Sequence, residues 1–210
     1  MTEQRTHDLN EKQPLTDTLS SKIEQVIALL SHAHTIYQGN VTLANSLGAE
    51  DMVLTDILAR YLPKIPQFVL DTGRLPEETL TLLSRLTERY PQLTVSVYYP
   101  DASAVENYVR AHGINGFYQS QSLRKGCCAV RKLEPLKRAL SDRKAWITGL
   151  RREQSITRDA VDFSEWDQAN GLQKLNPLAD WTDKEVWAYI RHFDVPYNAL
   201  HDQHYPSIGC

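Results

Sequence analysis

The fold is indicated most clearly by the stretch Val41–Asp51, which has the sequence VTLANSLGAED. Its apolar first part predicts a buried strand over 41–44, and a helix is expected over about 50–62, ending near Pro63. The loop between them, residues 45–49, holds a serine and a glycine that let an anion approach free N–H groups at a helix start. An ordinary capped turn would have the same pattern. The loop is neither the G-x-G-x-x-G nor the G-x-x-x-x-G-K-[ST] motif, so those two nucleotide-binding folds lose support.

The alternation of strand and helix continues on both sides of this stretch. Further strands are expected at 68–70, 94–99, 145–148 and 174–178, and further helices at 15–37, 76–90, 102–112, 119–141 and 182–192. Gly126 and Pro135 permit breaks in the helix at 119–141, and a polar loop is expected over about 150–171. Such alternation predicts an α/β domain with a mainly parallel sheet flanked by helices.

Ligands of parallel α/β sheets bind beyond the carboxyl ends of the strands. The candidate site residues are therefore those that directly follow the predicted strands. They are Ser46 to Ala49, Asp71 to Arg74, Gly149 to Arg152, and the segment after Leu178.

The composition is that of an ordinary globular domain, with 210 residues, of which 41% are hydrophobic and 23% charged. We expect a single domain over 15–210, preceded by a polar, disordered arm at 1–14. No apolar run approaches the roughly 18 residues that span a bilayer, and the N-terminus lacks the apolar core of a secretory signal. These features predict a cytoplasmic protein with no membrane partner. Three cysteines in a reducing compartment indicate metal binding or catalysis more than disulfides.

The net charge of −3 hides a local asymmetry. Between Arg124 and Arg158 the chain has 11 Lys or Arg and 3 Asp or Glu, whereas the rest has 12 basic and 23 acidic residues. Such polarity indicates one anionic partner, although a solvated helix face would show it too. The absence of aromatic residues between Arg124 and Ala145 disfavours base stacking, so we expect no nucleic-acid partner.

Three arginines follow the strand predicted at 145–148. Guanidinium groups bind phosphate or sulfate through two parallel hydrogen bonds. We therefore expect Arg151, Arg152 and Arg158 to bind the anionic part of a ligand, with surface solvation as the alternative.

The adjacent cysteines Cys127 and Cys128 are the strongest local feature. Neighbouring cysteines are geometrically poor partners for a mutual disulfide, but both can ligate one metal centre. The nearby side chains of Lys125, Arg131 and Lys132 favour the thiolate forms. The alternative is a pair of buried thiols that act as small hydrophobic side chains.

A zinc site is a further alternative for these thiols. It would combine Cys127 or Cys128 with Cys210 and with either His201 or His204, a donor set typical of zinc. Both histidines also fit plain surface positions.

Taken together, these segments resemble the assimilatory sulfonucleotide reductases, and among them the iron–sulfur adenylyl-sulfate (APS) reductases. The most specific part of the resemblance is the cysteine pair together with the later Gly209-Cys210. The matching segments run across nearly the whole chain and are Ser46–Leu54, Leu70–Arg74, Lys125–Lys132, Ile147–Ser155, Asn176–Trp181, Pro196–Asn198 and Ser207–Cys210. The resemblance implies an adenine nucleotide alpha hydrolase-like (Rossmann-like) fold and a single sulfonucleotide reductase domain.

The resemblance implies thioredoxin-dependent reduction of APS to sulfite and AMP, in sulfate assimilation and cysteine biosynthesis. Related reductases commonly assemble, so a homo-oligomer fits as well. By the match, Ser46 and Gly48 hold phosphate, Leu70 and Gly149 line the adenosine pocket, and Lys132, Arg152 and Arg158 neutralise the phosphate and sulfate oxygens.

The resemblance also implies a 4Fe-4S cluster held by Cys127, Cys128 and Cys210. Its fourth cysteine ligand would lie three residues beyond Cys210, and the nucleophilic cysteine in a C-terminal tail that this chain lacks. Lys132 is then the residue that couples the cluster to the substrate. We expect these 210 residues to bind APS or AMP without forming the enzyme thiosulfonate.

Two related functions stay open at this point. The 3′-phospho-APS (PAPS) reductases generally lack the cluster cysteines, so the cysteines favour APS. A zinc-bearing nucleotide-binding domain of the ATP pyrophosphatase type would need a Ser-Gly-Gly-x-Asp-Ser loop, which Leu47 and Glu50 interrupt.

Overall fold

The stretch that begins at Val41 forms the central strand of a six-stranded sheet. The computed structural model describes residues 15–154 and 161–209. In chain order its helices are α1 (Asp17–Ile36), α2 (Ala49–Tyr61), α3 (Glu77–Arg89), α4 (Ala102–His112), α5 (Gln121–Cys128), α6 (Glu134–Leu140) and α7 (Asp183–Phe193). The strands are β1 (Val41–Ala44), β2 (Gln67–Leu70), β3 (Val95–Tyr98), β4 (Ala145–Ile147), β5 (Ser164–Asp167) and β6 (Leu172–Leu175). Short 3-10 turns cover Gly116–Tyr118, Arg152–Gln154 and Ala199–Gln203.

The strand order in the sheet is β3-β2-β1-β4-β6-β5, and all neighbours are parallel except β5 and β6. From β1 the chain moves outward to β2 and β3, and it later returns to place β4 on the other side of β1. Val41 pairs with Ala145 and Leu43 with Ile147. The direction of winding therefore reverses between β1 and β4, and the loops that follow these two strands face one crevice.

One large apolar cluster joins the sheet to α1, α2, α3 and α7. Helix α2 is buried on nearly every side, and Met52, Leu54 and Ile57 have no exposed surface. This burial explains why its sequence shows a weaker apolar periodicity than a surface helix. The predicted α/β class with a mainly parallel, helix-flanked sheet is confirmed.

The prediction of a loop over about 150–171 was wrong, because this region contains β5. The strand predicted at 174–178 begins earlier, as β6, and ends at Leu175. The two strands form an antiparallel hairpin whose turn is closed by Asp167, which accepts the N–H groups of Ala169 and Asn170. Strand β5 is at the edge of the sheet and its four residues alternate between exposed and half-buried, so it carries little apolar signal.

The predicted helix at 119–141 is continuous at Gly126, and its irregularity is a π-helical turn over Ala129–Leu133. Pro135 lies at the start of α6, immediately after this turn. Proline has no N–H for the carbonyl four residues earlier, and its ring would clash with that carbonyl in a regular α-helix. A wider turn before Pro135 relieves both problems, and such turns are frequent at functional sites.

In the part of the chain that the structure describes, no helix is long and apolar enough to cross a membrane. Three predictions concern residues outside that part. They are the disordered arm at 1–14, the anion contact of Arg158 and the ligand role of Cys210. The single-domain assignment for 15–210 stays a prediction.

Candidate active site

The loop after β1 is held in an unusual backbone conformation by a buried amide. Leu47 is buried and has a φ of 64°, a left-handed value that non-glycine residues rarely adopt. The Asn45 Oδ1 accepts the Leu47 N–H at 2.6 Å, and the Asn45 Nδ2 donates to Thr55 and Gln67 at 2.9 Å each. The loop is therefore fixed to α2 and β2.

Asp51, in the first turn of α2, binds the same loop from the other side. Its Oδ2 accepts the Ser46 N–H at 2.7 Å and the Ser46 hydroxyl at 2.6 Å. Burial raises the pKa of this carboxyl to about 6, and the charge of Glu50 adds to the increase, while the hydrogen bonds from Ser46 and from the Gly149 backbone lower it. Both donors of Ser46 are thus engaged within the protein.

The loop after β4 lies against the start of α2. A Cβ atom added to Gly149 would lie 2.5 Å from the Asp51 Oδ1 and 2.7 Å from the Glu50 Cβ, so only glycine fits here without a shift. Thr148 donates its hydroxyl to the Asn176 Oδ1 at 2.7 Å, which ties this loop to the end of β6. The loop after β4 therefore contacts the first turn of α2, directly after the segment 46–49.

The arginines of the second loop have different surroundings. The Arg151 side chain is 5% exposed and its guanidinium contacts Glu50 at 2.7 Å, Glu153 at 3.2 Å and Asp183 at 3.4 Å. Carboxylates thus neutralise Arg151, and the prediction that it binds a ligand anion was wrong. Arg152 donates from Nε to the Val161 carbonyl at 2.9 Å, and its guanidinium lies over the Phe163 ring.

A cavity of about 230 Å³ opens at the carboxyl ends of β1 and β2. Three residues predicted to bind substrate line it together, namely Ser46, Leu70 and Lys132. The cavity combines an apolar wall with a few polar groups, as binding sites for small organic ligands do. Its other lining residues are Ala44, Asn45, Phe68, Thr72, Leu75, Thr79, Leu136, Trp146, Ile208 and Gly209. Gly48, Gly149 and Arg152 are not among the lining residues.

A second cavity, also of about 230 Å³, contains the cysteine pair. Cys127 is buried and Cys128 is half-buried, and neither forms a disulfide. Four cations line the cavity with them, and Phe117 and Tyr118 complete it; the cations are Arg74, Arg124, Arg131 and Lys132. The positive surroundings suit an anionic centre bound to the two sulfur atoms.

Lys132 connects the two cavities, because it lines both of them. It lies in the π-helical turn, directly after Arg131. The buried Arg131 guanidinium donates from Nη1 to the Thr72 carbonyl at 2.6 Å, which fixes the turn to the loop after β2. Lys132 thus lies between the cysteine pair and the cavity at the carboxyl ends of β1 and β2.

Within residues 15–154 and 161–209, no group of three or more His, Cys, Asp or Glu side chains could hold a metal ion. Cys210 lies outside that part, but its neighbours Ile208 and Gly209 line the cavity that Lys132 shares. His201 packs its ring on Trp187 and lies 3.0 Å from the Tyr205 carbonyl through Nδ1.

Two features of the site were missed from the sequence. Asp51 received no role, although its position three residues after a glycine at a helix start is a signal for a capping carboxylate. Trp146 forms part of the cavity wall, although its strand was predicted correctly. Side-chain direction within a short buried strand needs the register of its neighbours, which one sequence does not supply.

Comparison with known proteins gives a consistent result. Residues 40–210 match the phosphoadenosine phosphosulfate reductase domain. The chain is 52% identical over 210 residues to an adenosine 5′-phosphosulfate reductase from Allochromatium vinosum, covering all of this chain and 79% of that protein. It is 51% identical over 197 residues to the protein of the same name from Burkholderia cepacia, covering 93% of this chain and 78% of that one.

A solved structure has a similar fold. The phosphoadenylyl-sulfate reductase from Candida auris, in a phosphate complex, superposes with a TM-score of 0.75 at 26% identity. The match covers 95% of this chain and 97% of that chain. The sheet order, the crevice loops and these matches agree, and the chain belongs to the family of the phosphoadenosine phosphosulfate reductase domain.

Proposed function

We propose that this protein reduces APS to sulfite and AMP with thioredoxin as the reductant, as part of sulfate assimilation and cysteine biosynthesis. The observation that carries the proposal is the position of Lys132, which lines both the cavity at the sheet edge and the cavity of the cysteine pair. The names of the Allochromatium and Burkholderia relatives support APS as the substrate.

The nucleotide would occupy the cavity at the ends of β1 and β2. Its apolar wall, which includes Leu70, Phe68 and Trp146, suits an adenosine, and Lys132 supplies positive charge for the phosphosulfate. In this proposal Gly48 and Gly149 help to set the shape of the loops that follow β1 and β4 and form the crevice. Arg152 and Arg158 remain proposed contacts of the phosphate and sulfate oxygens.

The reaction takes place in two steps. A cysteine thiolate of the enzyme attacks the sulfur of the sulfate group, the bond from that sulfur to the phosphate oxygen breaks, and AMP leaves. A thioredoxin thiolate then attacks the enzyme sulfur of the resulting thiosulfonate, sulfite leaves, and a mixed disulfide between enzyme and thioredoxin forms. The second thioredoxin thiolate attacks the thioredoxin sulfur of this mixed disulfide, which closes the thioredoxin disulfide and releases the enzyme thiolate. Two thiols are oxidised for the two electrons that the sulfate sulfur gains.

The cluster proposed for this protein is a 4Fe-4S centre with Cys127, Cys128 and Cys210 as three of its ligands. The donor set fits, because two thiols lie side by side in a cavity with four cations, and Gly209 lines the neighbouring cavity. When bound, the cluster supplies a compact charged centre whose field acts on Lys132. All three cysteines of the 210 residues are then ligands, so none of them is the attacking thiol.

A PAPS reductase is the competing proposal, and the name of the Candida auris structure favours it. The two substrates differ by a 3′-phosphate, which needs additional cations near the ribose. A competition experiment, in which APS and PAPS compete for binding to the protein, decides between the two proposed functions. Tighter binding of PAPS than of APS would overturn the proposal for APS.

The first test is calorimetric titration of AMP and APS into the protein and its Lys132→Ala variant. We expect the variant to bind APS at least ~10-fold more weakly, because it loses a charge-assisted hydrogen bond. Lys137→Ala is the matched control, since Lys137 is exposed on α6 and lines neither cavity. Equal losses in both variants would contradict the position assigned to the ligand.

The second test addresses the cluster and the chemistry. Protein purified without oxygen is expected to be brown, with broad absorbance near ~400 nm and bound iron and sulfide. Colourless protein containing zinc would favour the zinc alternative. The 210-residue chain alone should bind AMP but release no labelled sulfite from APS with thioredoxin, and sulfite release by it would refute the assignment of all three cysteines to the cluster.

We further propose that the protein acts in the cytoplasm, where thioredoxin is kept reduced. Homo-oligomer formation is part of the proposal, and light scattering of the purified protein tests it. A monomer at micromolar concentration would contradict that part without affecting the reaction.

A further inference from the structure

Asp51 joins the two loops that form the crevice. Its Oδ2 binds both donors of Ser46, at 2.7 and 2.6 Å, and its other oxygen faces Gly149, where an added Cβ would approach to 2.5 Å. The residue is 6% exposed. The loop after β1 and the loop after β4 are therefore both fitted around one carboxylate.

This carboxylate is not neutralised by a neighbour. Among the residues that the structure describes, no lysine or arginine makes an ion pair with Asp51, and the nearby Arg151 is engaged by Glu50, Glu153 and Asp183. Glu50 adds a second negative charge, and burial raises the pKa of Asp51 to about 6. A buried, unpaired charge lowers the stability of a fold, so an uncharged side chain of the same shape would be the more stable choice.

We propose that Asp51 is a positioning residue for the nucleotide, which holds the Ser46 loop against Gly149 and so sets the shape of the crevice. The inference rests on the proposed function, because Ser46 lines the cavity assigned to the nucleotide. Replacement of the carboxylate relaxes the Ser46 loop while the protein stays folded. Affinity for the nucleotide and stability then change in opposite directions.

The experiment measures AMP affinity by calorimetry and stability by urea unfolding at pH 7.5, for the wild type, Asp51→Asn and Asp51→Ala. We expect Asp51→Ala to bind AMP at least ~10-fold more weakly, because the Ser46 N–H and hydroxyl lose the acceptor that fixes the loop. Asp51→Asn keeps one acceptor, so its loss of affinity is smaller, at ~3-fold or more, and its unfolding midpoint rises.

Asp56→Asn is the matched control, because Asp56 is a buried carboxylate on the same helix whose partners are Arg60, Tyr90 and Tyr189. Its AMP affinity should equal that of the wild type even though its stability falls. Tyr90→Phe, which removes a single hydroxyl from Asp56, is a milder form of the control. Hydrogen–deuterium exchange of peptides that cover the Ser46 loop should increase in Asp51→Ala and not in the controls.

The outcomes separate the two proposals. AMP binding by Asp51→Asn and Asp51→Ala within ~2-fold of the wild type would overturn the positioning role. So would a loss of affinity in Asp56→Asn as large as in Asp51→Ala, or an Asp51→Asn protein that does not fold. A wild type that does not bind AMP would overturn the proposed function, and with it this role of Asp51.

Discussion

Asp51 and Asp56 are two buried carboxylates on one helix, and they differ in what surrounds them. Asp51 is at the crevice end of α2 and accepts hydrogen bonds from the Ser46 N–H and hydroxyl. Asp56 is 1% exposed, lies about one and a half turns further along, and accepts from Tyr90 at 3.0 Å, Tyr189 at 2.8 Å and Arg60 at 2.6 Å. One carboxylate thus binds loops, and the other binds helices.

Asp51 and Asp56 differ in how the negative charge of each carboxylate is compensated by its neighbours. Asp56 has a cation and two hydroxyl donors, and burial together with its negative charge raises the pKa of Tyr90 and Tyr189, which keeps both hydroxyls protonated as donors. Asp51 has neutral donors and an acidic neighbour, and its own pKa is raised. The surroundings of Asp56 therefore favour a stable helix layer, whereas those of Asp51 favour a defined loop shape at the expense of stability.

The largest effect is expected for Asp56→Ala, which should lower the free energy of unfolding by about 4 kcal/mol. The change leaves the buried hydroxyls of Tyr90 and Tyr189 without an acceptor and leaves Arg60 without its ion partner. Urea unfolding at pH 7.5 measures it. The control is the double variant Asp56→Ala with Tyr189→Phe. In the Asp56→Ala background, Tyr189→Phe should lower the free energy of unfolding much less than it does in the wild type, because the hydroxyl that it removes has already lost its acceptor. A loss below about 1 kcal/mol would remove the contrast between the two carboxylates.

The second effect has the opposite sign. Asp51→Asn should raise the free energy of unfolding at pH 7.5 by at most about 3 kcal/mol, the equivalent of a pKa shift from 3.8 to about 6. Because the folded pKa lies above the unfolded one, the folded protein binds this proton more tightly. Stability from this group is complete below pH 3.8 and is lost as the pH rises through about 6.

The pH dependence supplies the control for that prediction. The advantage of Asp51→Asn over the wild type should shrink as the pH falls from 6.5 to 4, because the wild-type carboxyl then takes up its proton. Urea unfolding at several pH values measures the difference. An Asn variant less stable than the wild type at pH 7.5, or an advantage independent of pH, contradicts the account of the crevice end.

Much of the fold could be predicted from the sequence, because strong local patterns carry it. The strand at 41–44 and its helix follow from one short stretch. The cavity brings together Ser46, Leu70 and Lys132, to which the family resemblance assigned substrate binding. Strand β5 was missed because Ser-Glu-Trp-Asp at a sheet edge has one apolar residue.

The parts of the site that the sequence did not indicate depend on contacts between distant segments. Asp51 is buried by Gly149, far later in the chain, so its environment appears only when β4 lies beside β1. Arg151 was expected to bind an anion because it follows a strand, whereas its partners Glu50 and Asp183 lie 101 and 32 residues away in the sequence. Local patterns predict elements, whereas charge compensation is decided by the tertiary fold.

A third prediction tests how closely the two loops must meet. Gly149→Ala should lower the free energy of unfolding by about 2 kcal/mol, because its Cβ would overlap Asp51 and Glu50 unless the backbone moves. Gly209→Ala is the matched control, since an added Cβ there meets no atom within 4 Å, and it should change stability by less than about 0.5 kcal/mol. A loss in Gly149→Ala as small as that in Gly209→Ala would show that the crevice end tolerates extra volume.

The smallest effect on stability is expected when Glu50, the acidic neighbour of Asp51, is replaced. Glu50→Gln removes a negative charge that raises the pKa of Asp51, and should therefore lower that pKa. The expected loss of stability is about 1 kcal/mol or less, because Arg151 keeps Glu153 and Asp183 as partners and the glutamine can still accept from Arg151. Carbon-13 chemical shifts of the Asp51 carboxyl group across pH 4 to 8 measure the pKa directly. An unchanged or higher pKa in Glu50→Gln would mean that the charge of Glu50 does not contribute to the raised pKa of Asp51.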